Sequence, residues 1–297
     1  MTNTLANYRG RFAPSPTGPL HKGSLVAAIA SYLEAKKHNG QWLIRMEDVD
    51  ESRNVKGAAD NILRSLEVFG FEWDEKVIYQ TQRKQAYAEA LQQLKNKNLI
   101  YPCTCSRKDL KTLADSGQLI SSTMGYIYPG TCINKSFDTV TTKNHSIRIK
   151  IDTSKISFED SLQGNYSQQL NVDSGDFIIQ RRDGLFAYQL AVVVDDAFQD
   201  ITHVVRGMDL IDSTPRQIYL QQCLNLPSLK YTHLPVILNS FGEKLSKQTG
   251  AEGIGLTANI TLLLECLEFL GQNPPKELKA ENLTTVWEWA RAHWNLQ

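Results

Sequence analysis

Apolar side chains recur along the first hundred residues with the two periods that distinguish strands from helices. A short apolar run at 8–12 and a longer one at 42–46 predict buried strands. Apolar residues spaced three and four apart at 25–33, at 62–69 and within 83–98 predict three amphipathic helices. Strands that alternate with helices of this length are typical of parallel βαβ units, so the pattern predicts an α/β fold with a parallel sheet.

The pattern changes near residue 101 and returns near residue 185. The segment between is rich in serine, threonine and asparagine, with short β-like runs at 146–151 and 177–180. After it come "AYQLAVVVDD" and "ITHVVRG", a predicted helix over about 214–224, a predicted strand at "LPVILN", and helical patterns at about 258–270 and 283–295. Four segments are therefore predicted: half of an α/β domain at 1–100, an inserted α+β subdomain at 101–184, the second half at 185–250, and a helical stem at 251–297.

Composition narrows the function classes without selecting one. Hydrophobic residues make up 41% and charged residues 22% of the 297 positions, as in ordinary globular proteins. Lys and Arg together number 32, as do Asp and Glu, so a polyanionic partner must be bound through local patches. No apolar segment follows Met1 and no apolar run approaches about eighteen residues. We therefore expect a cytoplasmic protein with reduced cysteines and no membrane partner, and a monomer by default.

The loop "RFAPSPTGPLHKGS" combines stiffness with an exit into a helix. Its three prolines fix φ and remove N–H donors, while Gly18 and Gly23 allow the backbone to approach a ligand closely. Gly23 and Ser24 are expected to open a helix whose N–H groups favour an anion, and His21 can donate a ring N–H to a phosphate oxygen. The loop therefore indicates a nucleotide-phosphate site. A proline-rich surface turn with an incidental histidine is the alternative.

A second candidate phosphate contact lies far downstream, in "GEKLSKQ". Lys244 and Lys247 are three residues apart on a glycine-flanked loop and could reach phosphates from the opposite side, although such lysines are often simply solvated. No GxxxxGK[ST] motif occurs. The segment "GIGLTA" formally fits GxGxxA, but no apolar strand precedes it, so we interpret it as an accidental match.

Together these motifs resemble class I aminoacyl-tRNA synthetases. "PSPTGPLHKGS" is similar to the HIGH element of that family in its glutamyl form, and "KLSKQ" is similar to its KMSKS element. "RFAPSPTG", "RMEDVD", "VVVDD", "ITHVVRG" and "STPRQ" resemble glutamyl-tRNA synthetases in order and spacing, over about residues 8–250. The resemblance implies a ligase with a Rossmann-type catalytic domain that makes an aminoacyl-adenylate from ATP, with Mg²⁺ as the counter-ion.

A glutamate substrate suits the side chains of these motifs, because it carries two carboxylates and one ammonium. Arg11 and Arg206 are suited to the carboxylates and Glu47 to the ammonium. The resemblance implies a glutamate site made of Arg11, Phe12, Ala13, Pro14, Ser15, Glu47, Tyr188 and Arg206, and an ATP contact at Lys247. The predicted ATP-binding residues are His21, Gly23, Ser24 and Lys247, and the predicted catalytic residues are His21, Lys244 and Lys247. A structural ion pair is the alternative for each arginine.

Only residues 249–297 follow the lysine loop, whereas synthetases of the glutamyl type continue into a long anticodon-binding region. The chain thereby resembles the glutamyl-Q tRNA(Asp) synthetases, a paralogous family. That resemblance implies activation of L-glutamate without tRNA, followed by its transfer to queuosine in the anticodon loop of tRNA(Asp). Three alternatives stay open: a compact glutamyl-tRNA synthetase that charges the 3′ end of tRNA(Glu), a catalytically inactive synthetase-like binding protein, and a ligase that glutamylates a small molecule.

Three cysteines and one tyrosine form a candidate metal site: Cys103, Cys105, Tyr128 and Cys132. The Cys-x-Cys spacing is tighter than that of most structural zinc sites, so the spacing alone also fits incidental reduced cysteines. The resemblance implies that these four residues bind one zinc ion, although Asp109, Asp115 or a water could complete the tetrahedron. Cys223 and Cys266 are expected in the core, as are Trp287, Trp289 and Trp294, for which tRNA contact is the alternative.

Overall fold

A computed structural model describes residues 8–122, 125–140, 145–152, 155–237 and 253–296 of the protein. The strands in this part of the chain are β1 (Arg9–Phe12), β2 (Gln41–Met46), β3 (Ile78–Tyr79), β4 (Ile100–Cys103), β5 (Ser121–Ser122), β6 (Gly125–Tyr126), β7 (Ser146–Ile149), β8 (Lys155–Asp160), β9 (Gly164–Gln169), β10 (Ile178–Gln180), β11 (His203–Gly207) and β12 (Lys230–Leu234). The α-helices are α1 (Lys22–Lys37), α2 (Ala58–Val68), α3 (Lys84–Asn96), α4 (Arg107–Asp115), α5 (Leu170–Asp173), α6 (Tyr188–Phe198), α7 (Thr214–Leu224), α8 (Ile260–Phe269) and α9 (Leu283–His293).

The main sheet is parallel at its centre. Strand β2 pairs in parallel with β1 and β3, and β11 pairs in parallel with β12. The strands β1–β2–β3 and the strands β11–β12 lie side by side: the N–H of Thr202, just before β11, donates to the carbonyl of Arg9 in β1 at 3.0 Å. The carboxyl ends of β1, β2, β11 and β12 consequently open toward one edge of the sheet, where ligands bind in folds of this type.

Helix α1 is buried on almost every side, since it lies between the sheet and the closing helices α8 and α9. Its apolar residues Leu25, Ile29 and Tyr32 are completely inaccessible to solvent. A helix that is apolar around most of its circumference requires such cover on two sides. Trp287 of α9 supplies part of that cover and donates its indole N–H to the carbonyl of Phe69 at 2.8 Å.

The predicted insertion contains two different structures. Strands β4, β7 and β10 form a separate antiparallel sheet, in which β7 lies in the middle. The hairpin β8–β9 instead joins the main sheet, because Asp160 at the end of β8 pairs in parallel with Tyr231 of β12. A segment assigned to the insertion therefore extends the main sheet.

The predicted strand "LPVILN" is wrong in its placement. Strand β12 ends at Leu234, directly before Pro235, and its apolar pairing residues begin at Tyr231. Proline has no N–H to donate to a neighbouring strand, so a central strand ends before it. The strand is thus shifted toward the amino terminus, and this shift brings His233 opposite Arg206 in the neighbouring strand.

Other predicted elements match the structure closely. Helix α7 has the predicted bounds, and the two helical patterns near the end of the chain correspond to α8 and α9. Core positions are confirmed for Cys266, Trp287 and Trp294, while Cys223 and Trp289 are half-buried. No helix among the described residues is long and apolar enough to cross a membrane.

Candidate functional site

A cavity of about 660 Å³ opens at the carboxyl ends of the four central strands. Its walls contain every described residue that was predicted for glutamate or ATP: Arg11, Phe12, Ala13, Pro14, Ser15, His21, Gly23, Ser24, Glu47, Tyr188 and Arg206. Residues 13–20 follow β1, Glu47 follows β2, and Arg206 lies near the end of β11. Lys244 and Lys247 lie outside the described residues. The fold thus brings together side chains that are about 190 positions apart in sequence.

The proline-rich loop is held from its outer side by the segment after β2. The N–H of Glu47 donates to the carbonyl of Pro14 at 2.9 Å, and the N–H of Val55 donates to the carbonyl of Pro16 at 2.9 Å. Gly18 has a φ of 141°, which side chains with a Cβ rarely adopt. The loop is therefore rigid because its prolines, this glycine and two external hydrogen bonds all restrict it.

His21 caps the helix that the loop enters. The helix begins at Lys22, and the Nδ1 atom of His21 accepts the N–H of Ser24 at 3.3 Å. The imidazole therefore uses the Ser24 N–H in this structure, and the ATP contact of Ser24 stays a prediction. A neutral imidazole that accepts at Nδ1 carries its proton on Nε2, so His21 can present a donor to the cavity that it lines.

The segment "GIGLTA" has a structural role that sequence reasoning missed. Gly253 forms a backbone bridge with His21, and the N–H of Ile254 donates to the carbonyl of Leu20 at 2.9 Å. A Cβ at Gly253 would lie 3.0 Å from Pro19 Cγ, which is tighter than nine in ten real Cβ contacts. The first glycine of the motif thus docks the chain against the phosphate loop, and α8 begins only at Ile260.

Buried charged side chains form a network with Arg11 and Glu47, two of the residues predicted to bind glutamate. Arg45 is completely buried; its guanidinium contacts Glu47 at 3.2 Å and Asp196 at 2.8 Å. Asp196 also contacts Arg11 at 3.3 Å. Arg45 thus orients Glu47 by donating to its carboxylate, and Asp196 orients Arg11 by accepting from its Nε. The ion-pair alternative therefore holds in part for Arg11.

The network leaves the pocket with a positive excess. Three guanidiniums (Arg11, Arg45 and Arg206) outnumber two carboxylates, those of Glu47 and Asp196, by one positive charge, and the other two charged residues of the lining, Arg53 and Asp209, are opposite in sign. Burial raises the pKa of Glu47, and the neighbouring guanidiniums of Arg45 and Arg11 oppose that shift. Burial also acts to raise the pKa of Asp196, but Arg45 and Arg11 outweigh it and the pKa is lowered. Such a pocket favours an anionic ligand.

Arg206 differs from the other two arginines because it has no carboxylate contact within 4 Å among the described residues. Its Nε donates to Nε2 of His233 at 3.1 Å, and its Nη2 donates to Oγ1 of Thr214 at 2.7 Å. Its Nη1 is buried and has no hydrogen-bond partner in the described part of the chain. A buried donor in a cavity wall is costly unless a ligand accepts from it, so Nη1 is suited to a substrate carboxylate.

Sequence reasoning missed Arg45 and Asp196, which connect the site. One signal could have found Arg45: it lies inside the apolar strand "WLIRM", and a buried charge in a strand requires a partner. Asp196 belongs to the quoted segment "VVVDD", but nothing in the sequence shows which arginine it contacts. That information depends on how β1, β2 and α6 pack.

The three cysteines of the candidate metal site come together. The Sγ atoms of Cys103, Cys105 and Cys132 lie within 4.8 Å of one another, and those of Cys105 and Cys132 are 3.6 Å apart. The Tyr128 hydroxyl oxygen lies 3.3 Å from Cys103 Sγ and 3.4 Å from Cys105 Sγ. Asp109 is exposed and accepts the N–H of Ser106 at 2.7 Å as part of a helix cap, so it is engaged elsewhere.

The two cysteines nearest each other in this cluster differ in acidity: burial raises the pKa of Cys105, whereas the surroundings of Cys132 favour a thiolate. Burial acts to raise the pKa of Cys132, but hydrogen bonds from Tyr128 and Thr104 outweigh it and lower the pKa to about 6. Burial and hydrogen bonds to the thiols raise the pKa of Tyr128. Arg148 donates to Cys103 Sγ at 3.3 Å and lies 3.7 Å from the centre of the Tyr128 ring. Three thiols within 4.8 Å of one another fit the ligand chemistry of zinc, and the Tyr128 hydroxyl lies beside them.

Comparison with known proteins identifies the class. Residues 7–255 match the family described as tRNA synthetases class I (E and Q), catalytic domain. The chain therefore belongs to the class I tRNA synthetases of the E and Q type, and it has the fold of that class, with a parallel sheet and flanking helices. The predicted ligase class is confirmed with it.

Relatives named for one activity resemble nearly the whole chain. The glutamyl-Q tRNA(Asp) synthetase of Dechloromonas aromatica is 54% identical over 97% of this chain and 94% of its own length. That of Neisseria meningitidis serogroup A is 48% identical over 97% of this chain and 96% of its own. The resemblance to this paralogous family, predicted from the motifs, is confirmed.

Solved structures of glutamate-tRNA synthetases are longer. The enzyme of Elizabethkingia anophelis superposes with a TM-score of 0.71 at 27% identity, covering 82% of this chain and 53% of that one. A glutamate tRNA ligase of Elizabethkingia meningosepticum, solved in complex with its amino acid, gives the same TM-score and identity. This chain spans about half the length of these two proteins.

Proposed function

We propose that this chain activates L-glutamate with ATP as glutamyl-adenylate without tRNA, and then transfers the glutamate to queuosine in the anticodon loop of tRNA(Asp). The names of its relatives support the overall activity. The observation that carries the amino-acid part is the buried, unpartnered Nη1 of Arg206 in a pocket with a positive excess.

Glutamate fits the charges of the cavity wall. Arg206 Nη1 offers a donor to one carboxylate, and Arg11, which shares Asp196 with Arg45, offers partial positive charge to the other. The Glu47 carboxylate accepts hydrogen bonds from the ammonium of glutamate, and Arg45 holds the Glu47 carboxylate in position. An amino acid with a neutral side chain has only one carboxylate and could pair with only one of the two arginines. The second carboxylate of glutamate is therefore the basis of selection in this proposal.

The activation step requires positioning and charge neutralisation rather than a general base. A carboxylate oxygen of glutamate attacks the α-phosphorus of ATP, the bond to the bridging oxygen breaks, and pyrophosphate leaves. His21 Nε2–H, at the end of the rigid loop, donates to a phosphate oxygen. Lys244 and Lys247, which lie outside the described residues, are proposed as further phosphate contacts. Mg²⁺, when bound with ATP, would supply additional neutralisation of the phosphate charge.

In the transfer step, a hydroxyl oxygen of the cyclopentenediol of queuosine attacks the carbonyl carbon of the adenylate. An ester forms, AMP leaves, and the hydroxyl proton passes to the departing phosphate. An unstacked loop nucleotide suits a cavity that is open at the sheet edge, since RNA loops present bases in this way. Local lysines and arginines are expected to bind the anticodon arm, which predicts a salt-sensitive transfer step.

We further propose that Cys103, Cys105, Tyr128 and Cys132 bind one structural zinc ion. The convergence of these four side chains from β4, the start of α4 and the segment after β6 supports this assignment. When bound, zinc would join three separate pieces of the insertion.

The test is the transfer of labelled glutamate, with ATP, to three RNAs: tRNA(Asp) with queuosine, tRNA(Asp) without it, and tRNA(Glu). We expect label on queuosine-containing tRNA(Asp) alone, and glutamate-dependent ATP–pyrophosphate exchange in the absence of any RNA. Label on tRNA(Glu) would instead make the protein a compact synthetase, and exchange that requires RNA would refute the order of steps.

A further inference from the structure

Two fully buried side chains lie in line behind Arg206, on the side away from the cavity. His233 Nε2 is 3.1 Å from Arg206 Nε, and His233 Nδ1 is 2.6 Å from Asp160 Oδ2. His233 is completely inaccessible and Asp160 is 2% exposed. Neither residue lines the cavity. This line of contacts, Asp160–His233–Arg206, joins the end of strand β8 to the arginine that is proposed to bind substrate.

Proton positions in this line follow from the chemistry of arginine. The Nε atom of arginine always carries a hydrogen and never accepts, so Nε2 of His233 must be the acceptor. The single proton of a neutral imidazole is therefore on Nδ1, from which it is donated to Asp160. A cationic imidazole would set two donors against each other at 3.1 Å, so the line requires a neutral ring.

We propose that Asp160 and His233 are positioning residues that fix the histidine tautomer and thereby hold the Arg206 guanidinium with Nη1 directed at the substrate carboxylate. This inference rests on the proposed function, since it takes Arg206 to bind glutamate. It goes beyond that function by assigning a role to two residues that do not touch any substrate.

The environment of the pair is consistent with this role. Asp160 is itself immobilised, because its Oδ1 accepts the N–H groups of Leu162 at 3.1 Å, Gln163 at 3.0 Å and His233 at 3.2 Å. Burial acts to raise its pKa, but the hydrogen bond from His233 and the backbone N–H groups outweigh this and lower it. Burial also lowers the pKa of His233, which keeps the ring neutral against the attraction of the Asp160 carboxylate.

Thr214 completes the support from the side. Its hydroxyl oxygen accepts from Arg206 Nη2 at 2.7 Å and lies 3.1 Å from His233 Nε2. Two of the three guanidinium nitrogens are thus held by protein groups, which leaves Nη1 as the one available to a ligand in the described part of the chain. An arginine held in this way loses little freedom when substrate binds.

Asp160→Asn is designed to reverse the tautomer without changing volume. The amide oxygen can keep the backbone N–H groups at Oδ1, and the amide nitrogen then faces His233 as a donor. His233 must accept at Nδ1 and carry its proton on Nε2, directly against Arg206 Nε–H. We expect the KM for glutamate in ATP–pyrophosphate exchange to rise about tenfold or more, with the KM for ATP unchanged, because one misplaced binding group has effects of this order.

Two substitutions of His233 separate positioning from plain stability. His233→Gln can accept from Arg206 Nε with its carbonyl oxygen, whereas His233→Asn reaches Asp160 but leaves Arg206 Nε without an acceptor. We expect the Asn variant to raise the glutamate KM about tenfold and the Gln variant less than about threefold. Asp176→Asn is the matched control: Asp176 is also buried and accepts from Tyr101 at 2.6 Å and Ile151 at 2.7 Å, away from the cavity.

Nitrogen-15 NMR of the histidine side chains tests the same line in the wild-type chain without substrate, and a variant is needed only to assign the signal. We expect the His233 signal, assigned by its loss in His233→Gln, to show the Nδ1–H tautomer. An Nε2–H tautomer would overturn the proposal, as would an unchanged glutamate KM in a folded Asp160→Asn protein. Absence of glutamate-dependent exchange in the wild-type protein would instead refute the proposed function, and the tautomer measurement would still report on the line.

Discussion

At the scale of single residues, the arginines of the pocket differ in the protein groups that they contact. Arg11 and Arg45 share the carboxylate of Asp196, so much of their charge is already used within the protein. Arg206 is held by an imidazole and a hydroxyl, which are neutral, and it retains a full positive charge with one unpartnered nitrogen. Arg206 is therefore the residue on which carboxylate binding is expected to depend most strongly.

Arg206→Ala is expected to lower kcat/KM for glutamate activation by about 100-fold or more, because the charge-assisted contact from Nη1 and the positive charge of the guanidinium are lost together. The measurement is glutamate-dependent ATP–pyrophosphate exchange, with circular dichroism to verify the fold. Arg9→Ala is the control, since Arg9 lies in the adjacent strand β1 but contacts Glu75 and Gln199 rather than the cavity. Equal activity of a folded Arg206→Ala protein would remove this residue from the site.

A histidine outside the site is expected to govern part of the pH dependence of stability. His203 stacks on Tyr8 with ring centres 4.1 Å apart, and burial, together with Lys230 and His38, lowers its pKa to about 4. The unfolded chain titrates this group near its ordinary pKa and therefore binds more protons at intermediate pH. The free energy of unfolding should accordingly fall as the pH is lowered from about 6.5 to about 4.

His203→Phe should flatten this slope by about 1 kcal/mol over that range, a figure reduced for the partial exposure of the ring. Urea denaturation at half-unit pH intervals measures it. His293→Phe, at an exposed position on α9, should leave the slope as it is in the wild type. A slope unaffected by His203→Phe would show that other groups carry the dependence.

At the scale of elements, the candidate metal ligands come from separate short elements of the insertion. Cys103 ends β4, Cys105 precedes α4, and Tyr128 and Cys132 follow the two-residue strands β5 and β6. Helix α4 has no fully buried residue, and the β5–β6 pair contains two residues a side, so neither is held by an extensive core. A metal ion would supply the order that packing alone does not.

Cys105→Ser, or removal of zinc by a chelator, should therefore increase backbone hydrogen exchange in residues 100–135 while β1, β2 and α1 stay protected. Metal analysis should find about one zinc per chain in the wild type and less in the variant. Cys223→Ser is the matched control, because Cys223 is half-buried but lies outside the cluster. Metal-free wild-type protein with an equally protected insertion would contradict the assignment.

At the scale of the whole molecule, the helices at the end of the chain complete the catalytic domain. Helices α8 and α9 cover α1, whose first turn carries the His21 cap, and Gly253 and Ile254 hold the same turn from the side. Trp287 packs edge-on against Tyr32 and Phe71 with ring centres 5.2 and 5.0 Å apart. The stem thus shares one core with the parallel sheet.

Trp287→Ala should lower the free energy of unfolding by about 3–5 kcal/mol, since a large buried ring and its hydrogen bond to Phe69 are removed together. Trp289→Ala, on the same helix but half-buried against the exposed His293, should change it by no more than about 1 kcal/mol. Thermal and denaturant unfolding measure both. Similar losses in the two variants would mean that the stem is not part of the main core.

The sequence by itself determined the alternation of strands and helices, the rigid proline loop, the family and the identity of the residues around the cavity. These depend on short-range periods and on contiguous motifs, so they can be read along the chain. It did not predict the end of β12, the hairpin β8–β9 in the main sheet, or the Ser24 N–H taken by His21. Nor did it predict the links from Arg45 to Asp196 and from Arg206 through His233 to Asp160. The end of β12 before Pro235 and the His21 cap on Ser24 are local features that the periodicity does not reveal. The charge links and the place of the β8–β9 hairpin were decided only by the tertiary structure, because they depend on strand register and on packing between segments as much as about 150 positions apart.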